Sequence, residues 1–300
     1  MLNSIKMKKY QLFTFCVLMT FYSCGENFFE QVVEVELPEH TPALAVSANF
    51  SDVDTTLSVY VSNSVGVLEP DQPVIVEDAV VELFKNGQLL YNLDYNANGL
   101  YNQFNIAPLG SSSEEYTLKV QAPGYDQVSS VQFMPQPVSI TEASFEREGA
   151  VTPDGDRVNN ISVTFTDPGG SENYYSLEAF GRITDQGFEY TQMVYLSSFN
   201  PIVEEGEEIL VFSDATFDGR EVKLNFYTYD DYPDSVESVE LDINLISISK
   251  DRYFFEKSLN IFNNSNGNPF VEPVVVHNNI ENGHGVFTTE SRSLFTLIIL

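Results

Sequence analysis

Alternation of apolar and polar residues with a period of two decides what this chain can fold into. Leu57, Val59 and Val61 alternate with Ser58, Tyr60 and Ser62, and Tyr116, Leu118 and Val120 with Thr117, Lys119 and Gln121. Further on, Ile161, Val163 and Phe165 alternate with Ser162, Thr164 and Thr166, and Val239, Leu241, Ile243 and Leu245 with Glu240, Asp242 and Asn244. Successive side chains of a strand point to opposite faces, so each run reads as a half-buried strand. Turn dipeptides punctuate the runs. Asn86-Gly87 joins Val74–Lys85 to Leu89–Tyr95, Asn98-Gly99 precedes Leu100-Tyr101, and Asp185-Gln186-Gly187 joins Asn173–Thr184 to Phe188–Phe199. Val128–Phe133, Ile209–Phe212, Val222–Phe226, Val271–Val276 and Val286–Leu300 are further strand candidates.

The pattern predicts a mainly β protein. An N-terminal immunoglobulin-like β-sandwich over 42–134 is followed by a second, larger β-sandwich-like domain over 138–300. Pro135-Gln136-Pro137 marks the boundary, because paired prolines stiffen a linker and stop ladder pairing. The period changes once. Ser249 can cap a helix near 250–263 whose apolar positions Phe255, Leu259 and Phe262 fall at i, i+4 and i+7, with Asp251 in its first turn and Asn263-Asn264-Ser265-Asn266-Gly267 at its end.

The N-terminus carries a different message. Lys6, Lys8 and Lys9 precede the apolar run Leu12–Tyr22, and Ser23-Cys24 ends it. A helix of that length rises roughly 16 Å, about half a hydrocarbon core, so it suits a signal peptide better than a permanent span. Initiation at Met1 or at Met7 is compatible with this pattern. We expect residues 1–23 to be a lipoprotein signal peptide, Cys24 to be the lipidation site, and 24–41 to be a lipidated tether. Phe21 and Tyr22 depart from the small residues of the enterobacterial lipobox. Several acyl chains, at about 0.8 kcal/mol per buried methylene, would make a stable anchor.

Acids outnumber bases by 44 to 14, a net charge of −30 that becomes −33 once the three signal lysines are removed. Such a charge disfavours nucleic acid and anionic lipid as partners, since both need cationic surface. Of the 2 cysteines, Cys16 goes with the signal and Cys24 with the lipid. The mature body is left without disulfides, thiol catalysis or thiolate metal sites.

The segments Val163-Thr164-Phe165-Thr166-Asp167-Pro168, Glu172-Asn173-Tyr174-Tyr175, Phe217-Asp218-Gly219, Ser247-Ile248-Ser249-Lys250-Asp251-Arg252-Tyr253, Phe270-Val271-Glu272-Pro273, Asn279-Ile280-Glu281-Asn282-Gly283 and Gly285-Val286-Phe287 carry a resemblance. The chain resembles the DUF4249 family of Bacteroidetes lipoproteins. Members often carry an apolar residue where this chain has His284. The resemblance implies a lipid-anchored outer-membrane protein at the cell surface, with a gene often beside that of a TonB-dependent receptor. It implies an accessory, non-catalytic role in nutrient capture or uptake, and it assigns no catalytic residue.

Other constellations are weaker. Asp154-Gly155-Asp156, and Asp230-Asp231 with Asp234, carry oxygen ligands suited to Ca²⁺ but lack EF-hand spacing, so solvated turns explain them. Glu204-Glu205-Gly206-Glu207-Glu208 reads as a solvated loop, and His277 with His284 lacks a third zinc ligand. Asp167-Pro168-Gly169-Gly170 is explained by turn chemistry, although a binding loop would look the same; Tyr174 and Tyr175 fit strand packing better than glycan stacking. No Gly-Xaa-Ser-Xaa-Gly elbow, phosphate-binding loop or His-Glu-Xaa-Xaa-His is present. The expectation is therefore a protein without enzymatic activity, metal or cofactor, with its ligand-binding residues unassigned. A surface hydrolase acting on glycans or peptides, and a structural adhesin, are the alternatives.

Overall fold

The computed structural model describes residues 40–66, 72–110, 114–205, 209–232, 235–265 and 274–300. The signal peptide, Cys24 and nearly all of the tether lie outside the described residues, as does the Phe270–Pro273 motif. The body is mainly β, with sixteen strands and one helix among the described residues.

Two sandwich-like modules follow one another along the chain. In the first, β1 (Leu44–Ser51), β2 (Thr56–Asn63) and β5 (Leu100–Phe104) form one layer; β3 (Val80–Lys85), β6 (Glu115–Gln121) and β7 (Val128–Phe133) form the other. β4 (Gln88–Ala97) serves both, pairing β3 through Gln88–Leu93 and β5 through Asp94–Ala97. The inward residues of each strand make the core, among them Val46, Leu57, Val59, Leu83, Tyr116 and Leu118. The Tyr101 hydroxyl donates to the Val76 carbonyl and accepts the Ala79 N–H, fixing the entry to β3.

In the second module a layer ordered β12 (Val203–Glu205), β13 (Leu210–Ser213), β10 (Tyr174–Asp185), β15 (Ser238–Ile248) and β16 (His284–Ile298) faces a three-stranded layer. That smaller layer runs β14 (Glu221–Thr228), β9 (Arg157–Thr166), β8 (Ile140–Val151). β11 (Phe188–Val194) pairs with β10. Ile161, Val163 and Phe165 meet Leu177, Leu241 and Ile243 between the layers. Helix α1 (Lys250–Ser265) lies on the opposite face of the large layer, where Tyr253 packs with Val211, Ile246 and Ile248. Ser249 caps α1 through a hydrogen bond from the Arg252 N–H to its Oγ, 3.4 Å.

The three turn dipeptides behave as their residues require. Asn86-Gly87, Asn98-Gly99 and Gln186-Gly187 all have positive φ at both positions, the geometry of two-residue hairpins that match strand twist. Strands β1, β8 and β12 escaped the sequence reading, and β12 takes in Glu204 and Glu205, which the sequence placed in a solvated loop. Val274 to Val276, expected as part of a strand, has no regular structure.

β16 is the joint of the molecule. Its first half pairs in parallel with β1, from Ala45↔His284 to Ser51↔Glu290. Its second half pairs antiparallel with β15, from Ile248↔Glu290 to Glu240↔Ile298. The proline-rich stretch 135–137 thus separates β7 from β8 in sequence, while β16 carries one continuous sheet across both modules. Gly285 allows the approach, because its φ is +110° and any Cβ there would overlap the Val46 carbonyl.

At the switch residue the fully buried Glu290 carboxylate meets Arg252 of α1, Arg292 Nε at 2.6 Å and Asn49 Nδ2 at 2.7 Å. Arg292 also reaches Glu178 of β10 at 3.0 Å. Removing one partner of a buried ion pair costs about 3–5 kcal/mol, because the other charge is left unpaired. Glu290→Gln is therefore expected to lower the Tm by about ten degrees in a thermal melt. A shift of under about two degrees would show that the node is dispensable.

Candidate functional site

A groove of about 720 Å³ opens where the two modules meet. One wall is the end of β7 and the following chain, Val131 to Gln136. The other is the start of β10 with its approach, Ser171 to Tyr175, and the junction of β15 with α1, Ser247 to Asp251. Amide and hydroxyl groups of Gln132, Gln136, Asn173 and Ser247 share the lining with Phe133, Val138 and Tyr174. Ser247 Oγ is buried and has no hydrogen-bond partner among the described residues. The Lys250–Glu172 ion pair, 2.8 Å, is solvent-exposed and belongs to the same lining.

Each wall is braced from behind. Asp251, in the first turn of α1, accepts hydrogen bonds from Gln132 Nε2 at 2.5 Å and Asn279 Nδ2 at 3.1 Å, and pairs with His277 Nε2 at 2.7 Å. Burial pushes the Asp251 carboxyl up; these hydrogen bonds outweigh it and hold the group below the ordinary carboxylate range. The Tyr174 ring packs on Tyr253 of α1, centroids 4.9 Å apart, and its hydroxyl donates to Glu172 at 3.0 Å.

The approach to β10 is tied to the loop after β13 by three carboxylates. Asp167 accepts from the Tyr175 hydroxyl and from the Gly219 N–H, the latter at 2.8 Å. Asp214 accepts the Asn173 N–H and Asp218 the Gly170 N–H, each at 2.9 Å. The Tyr175 ring is buried against Phe165, Phe212 and Phe217; burial first, and then the bond to Asp167, push its hydroxyl pKa up. Asp167, Asp214 and Asp218 also form the one group of His, Cys, Asp or Glu among the described residues that is close enough to share a metal ion. Each already accepts a hydrogen bond from a backbone N–H or a phenol, and the cluster braces the groove wall.

The cation ligands considered from sequence lie elsewhere. Asp154 and Asp156 sit in the tight turn between β8 and β9, where the Asp156 N–H bonds Thr152 Oγ1 at 3.1 Å. Asp230 accepts the Tyr195 N–H and the Thr228 hydroxyl, and Asp231 accepts the Tyr232 N–H; Asp234 lies outside the described residues. Glu204 pairs with Lys257 of α1 at 2.5 Å. The Glu205 side chain and residues 206–208 are outside the described residues. His277 is held by Asp251, whereas His284 opens β16 opposite Ala45. Gln132, Gln136 and Ser247 were not singled out as site residues in the sequence, because a lone amide or hydroxyl carries no spacing signal.

A family model described as a domain of unknown function, DUF4249, matches residues 30–293. The chain belongs to the DUF4249 family. Segments on which the resemblance rested, Glu172–Tyr175 and Ser247–Asp251, line the groove, and Asp167 with Phe217–Gly219 stands behind it. No curated protein matches the sequence. Among solved structures, a DUF4785-family protein of Legionella pneumophila is 13% identical, with a TM-score of 0.26 over 68% of this chain and 52% of that one. A putative membrane-anchored protein of Corynebacterium diphtheriae is 9% identical, with a TM-score of 0.22 over 84% and 59%. The B domain of a biofilm-associated protein is 7% identical, with a TM-score of 0.19 over 85% of each chain. This chain thus spans little more than half the length of the first two.

The brace has a pH signature. Burial holds the Asp214 carboxyl above the ordinary range, the Asn173 N–H opposes this, and the charges of Asp167 and Asp218 add to it. The folded state therefore favours the protonated group. Its ionisation costs stability above the folded pKa, and that cost disappears as pH falls through it. Asp214→Asn keeps an acceptor for Asn173 and is expected to raise the Tm at pH 7 by about 2–4 °C, a gap that closes as pH falls towards about 4. Melts followed by circular dichroism would contradict this if the variant melts lower at pH 7.

Proposed function

We propose that this DUF4249 protein is an outer-membrane surface lipoprotein, anchored through lipid on Cys24, that serves a TonB-dependent receptor as a non-catalytic partner in nutrient capture or uptake. The observation that carries the reading is the order of residues Lys6 to Cys24: a basic start, a short apolar run and a cysteine at its end. No helix among the described residues is long and apolar enough to cross a membrane, which says nothing of strand-built spans. The groove between the modules supports the second half of the reading. It has the volume of a small-ligand site and a lining that mixes apolar surface with a few fixed polar groups. The charge of −30 keeps such a body off anionic lipid and leaves it free to meet a receptor.

Two measurements test the proposal. Radiolabelled palmitate is expected to enter the wild-type chain and not Cys24→Ala, which should leave the membrane fraction. Affinity purification from intact membranes is expected to recover a β-barrel receptor with the wild type. Recovery without any such receptor, in cells grown under inducing conditions, would refute the accessory role.

A further inference from the structure

β16 outruns β1. Ser51 of β1 stands opposite Glu290, and β16 runs on to Ile298 with β15 on one side alone. The register with β15 is unbroken over that length, so the direction of each peptide group follows from its ends. The Ile299 N–H bonds the Val239 carbonyl at 3.0 Å, so odd-numbered residues face β15. Glu290 and Arg292 face the other way. The Glu290 carbonyl accepts the Asp52 N–H at 3.1 Å, and the Arg292 N–H donates to Asp52 Oδ1 at 3.0 Å. By the same alternation Leu294, Thr296 and Ile298 turn their N–H and carbonyl groups away from β15. None of these groups has a partner among the described residues. β8, in the facing layer, pairs there with β9 alone.

This edge also lacks a guard. Exposed edges are ordinarily kept from pairing by charged side chains or proline. Glu142 and Glu146 stand on β8, Glu189 on β11, Glu204 on β12 and Lys223 on β14. From Ser293 to Leu300 there is no charged side chain and no proline, in a chain of net charge −30. Leu294 and Ile298 are instead 61% and 73% exposed, with exposed Thr296 between them.

We propose that the free edge of β16 pairs antiparallel with the same edge of a second copy of this chain, about a twofold axis at Thr296. A twofold contact must be complementary to itself, and one register here meets that demand. Centred on Thr296, it sets Leu294 of one copy opposite Ile298 of the other and uses every free N–H and carbonyl of the edge. Moving the centre one residue towards the N-terminus calls on the Arg292 N–H, which Asp52 already holds. Moving it one residue towards the C-terminus calls on Leu300, whose N–H and carbonyl are taken by Val239. In the Thr296 register the outer face gains a Leu–Ile contact on either side of a Thr–Thr pair. On the inner face Phe295 meets Leu297 of the other copy, both only partly buried in the single chain. The overall negative charge does not forbid the contact. The nearest carboxylates, Glu240 and Asp242 of β15, share Arg182 and lie three strand spacings, about 14 Å, from those of the other copy, beyond the screening length of about 8 Å.

The test is sedimentation of the full-length chain in detergent, with cysteine cross-linking to read the register. An interface this small belongs to the weak class, so the particle mass is expected to rise towards two chains only between about 10 and 300 µM. Opposed residues of a hydrogen-bonded pair have Cα atoms about 5.5 Å apart, within the range of a disulfide. Thr296→Cys is therefore expected to give a covalent dimer on mild oxidation, well above the level that Cys16 and Cys24 give in the wild type. Leu294→Cys lies about 13 Å along the strand from its own copy and should give none, whereas a mixture of Leu294→Cys and Ile298→Cys chains should cross-link. Leu294→Lys with Ile298→Lys sets like charges opposite one another at exposed positions; this double variant should keep its Tm within a few degrees and weaken the dimer at least tenfold. A single-chain mass at about 300 µM, cross-linking of Leu294→Cys as efficient as that of Thr296→Cys, or a dimer undiminished in the folded double variant would overturn the proposal. Loss of receptor recovery in that variant, while the wild type sediments as one chain, would assign the edge to the receptor and overturn it as well.

Discussion

One strand with two allegiances holds this protein together. The parallel half of β16 belongs to the first module and the antiparallel half to the second, and they change over at Glu290. A strand crossing between two sandwiches would ordinarily be a hinge. Here the crossing point is occupied by a carboxylate with no exposure to water and several polar partners from three directions: α1, β1 and β16 itself. A buried charge tolerates little displacement of its partners, because each lost contact exposes it to the full cost of desolvation. The joint is therefore stiff, and the groove beside it keeps its shape.

Stiffness at the joint explains why the groove walls are built as they are. Gln132 from the first module and Asn279 from the approach to β16 converge on Asp251, which opens the helix of the second. The Thr289 hydroxyl bonds the Phe133 carbonyl at 2.8 Å, and the Ser291 hydroxyl bonds the Pro135 carbonyl at 2.7 Å. The outgoing chain of the first module is thus sewn to β16 on either side of Glu290. The linker with prolines at 135 and 137, stiff by composition, is fastened as well, since its Pro135 carbonyl is held.

Much of the fold was legible because strand periodicity survives wherever one face is buried. The runs at 57–61, 116–120, 161–165 and 239–245 all formed strands, and the Asn-Gly and Gln-Gly pairs formed the hairpins their φ values demand. β8 was illegible because it is an edge strand with register shifts after Ile140 and after Glu146, and the exposed run Glu146-Arg147-Glu148 hides its period. β1 shows Leu44, Val46, Ala48 and Phe50 in clean alternation and could have been found. The sharing of β16 was out of reach: fifteen residues of strand do not say that their two halves have different partners. The groove was hidden for a related reason. Its lining comes from three segments, 131–138, 168–175 and 247–251, far apart in sequence.

The acidity of the chain acquires a local purpose. Without disulfides to close its long loops, the body closes them with carboxylates that accept backbone N–H groups. Asp54 takes the Ser51 N–H at 2.7 Å, Asp52 that of Arg292 at 3.0 Å, and Glu237 that of Gly187 at 3.2 Å, alongside Asp167, Asp214, Asp218 and Asp230. A hydrogen bond to a charged acceptor contributes about 1.5–3 kcal/mol, more than a neutral one; at Asp54 and Asp214 burial outweighs it and holds the carboxyl above the ordinary range. Repulsion among these acids acts over longer range and is screened within about 8 Å at physiological ionic strength. Short-range bracing can therefore outweigh long-range repulsion in salt.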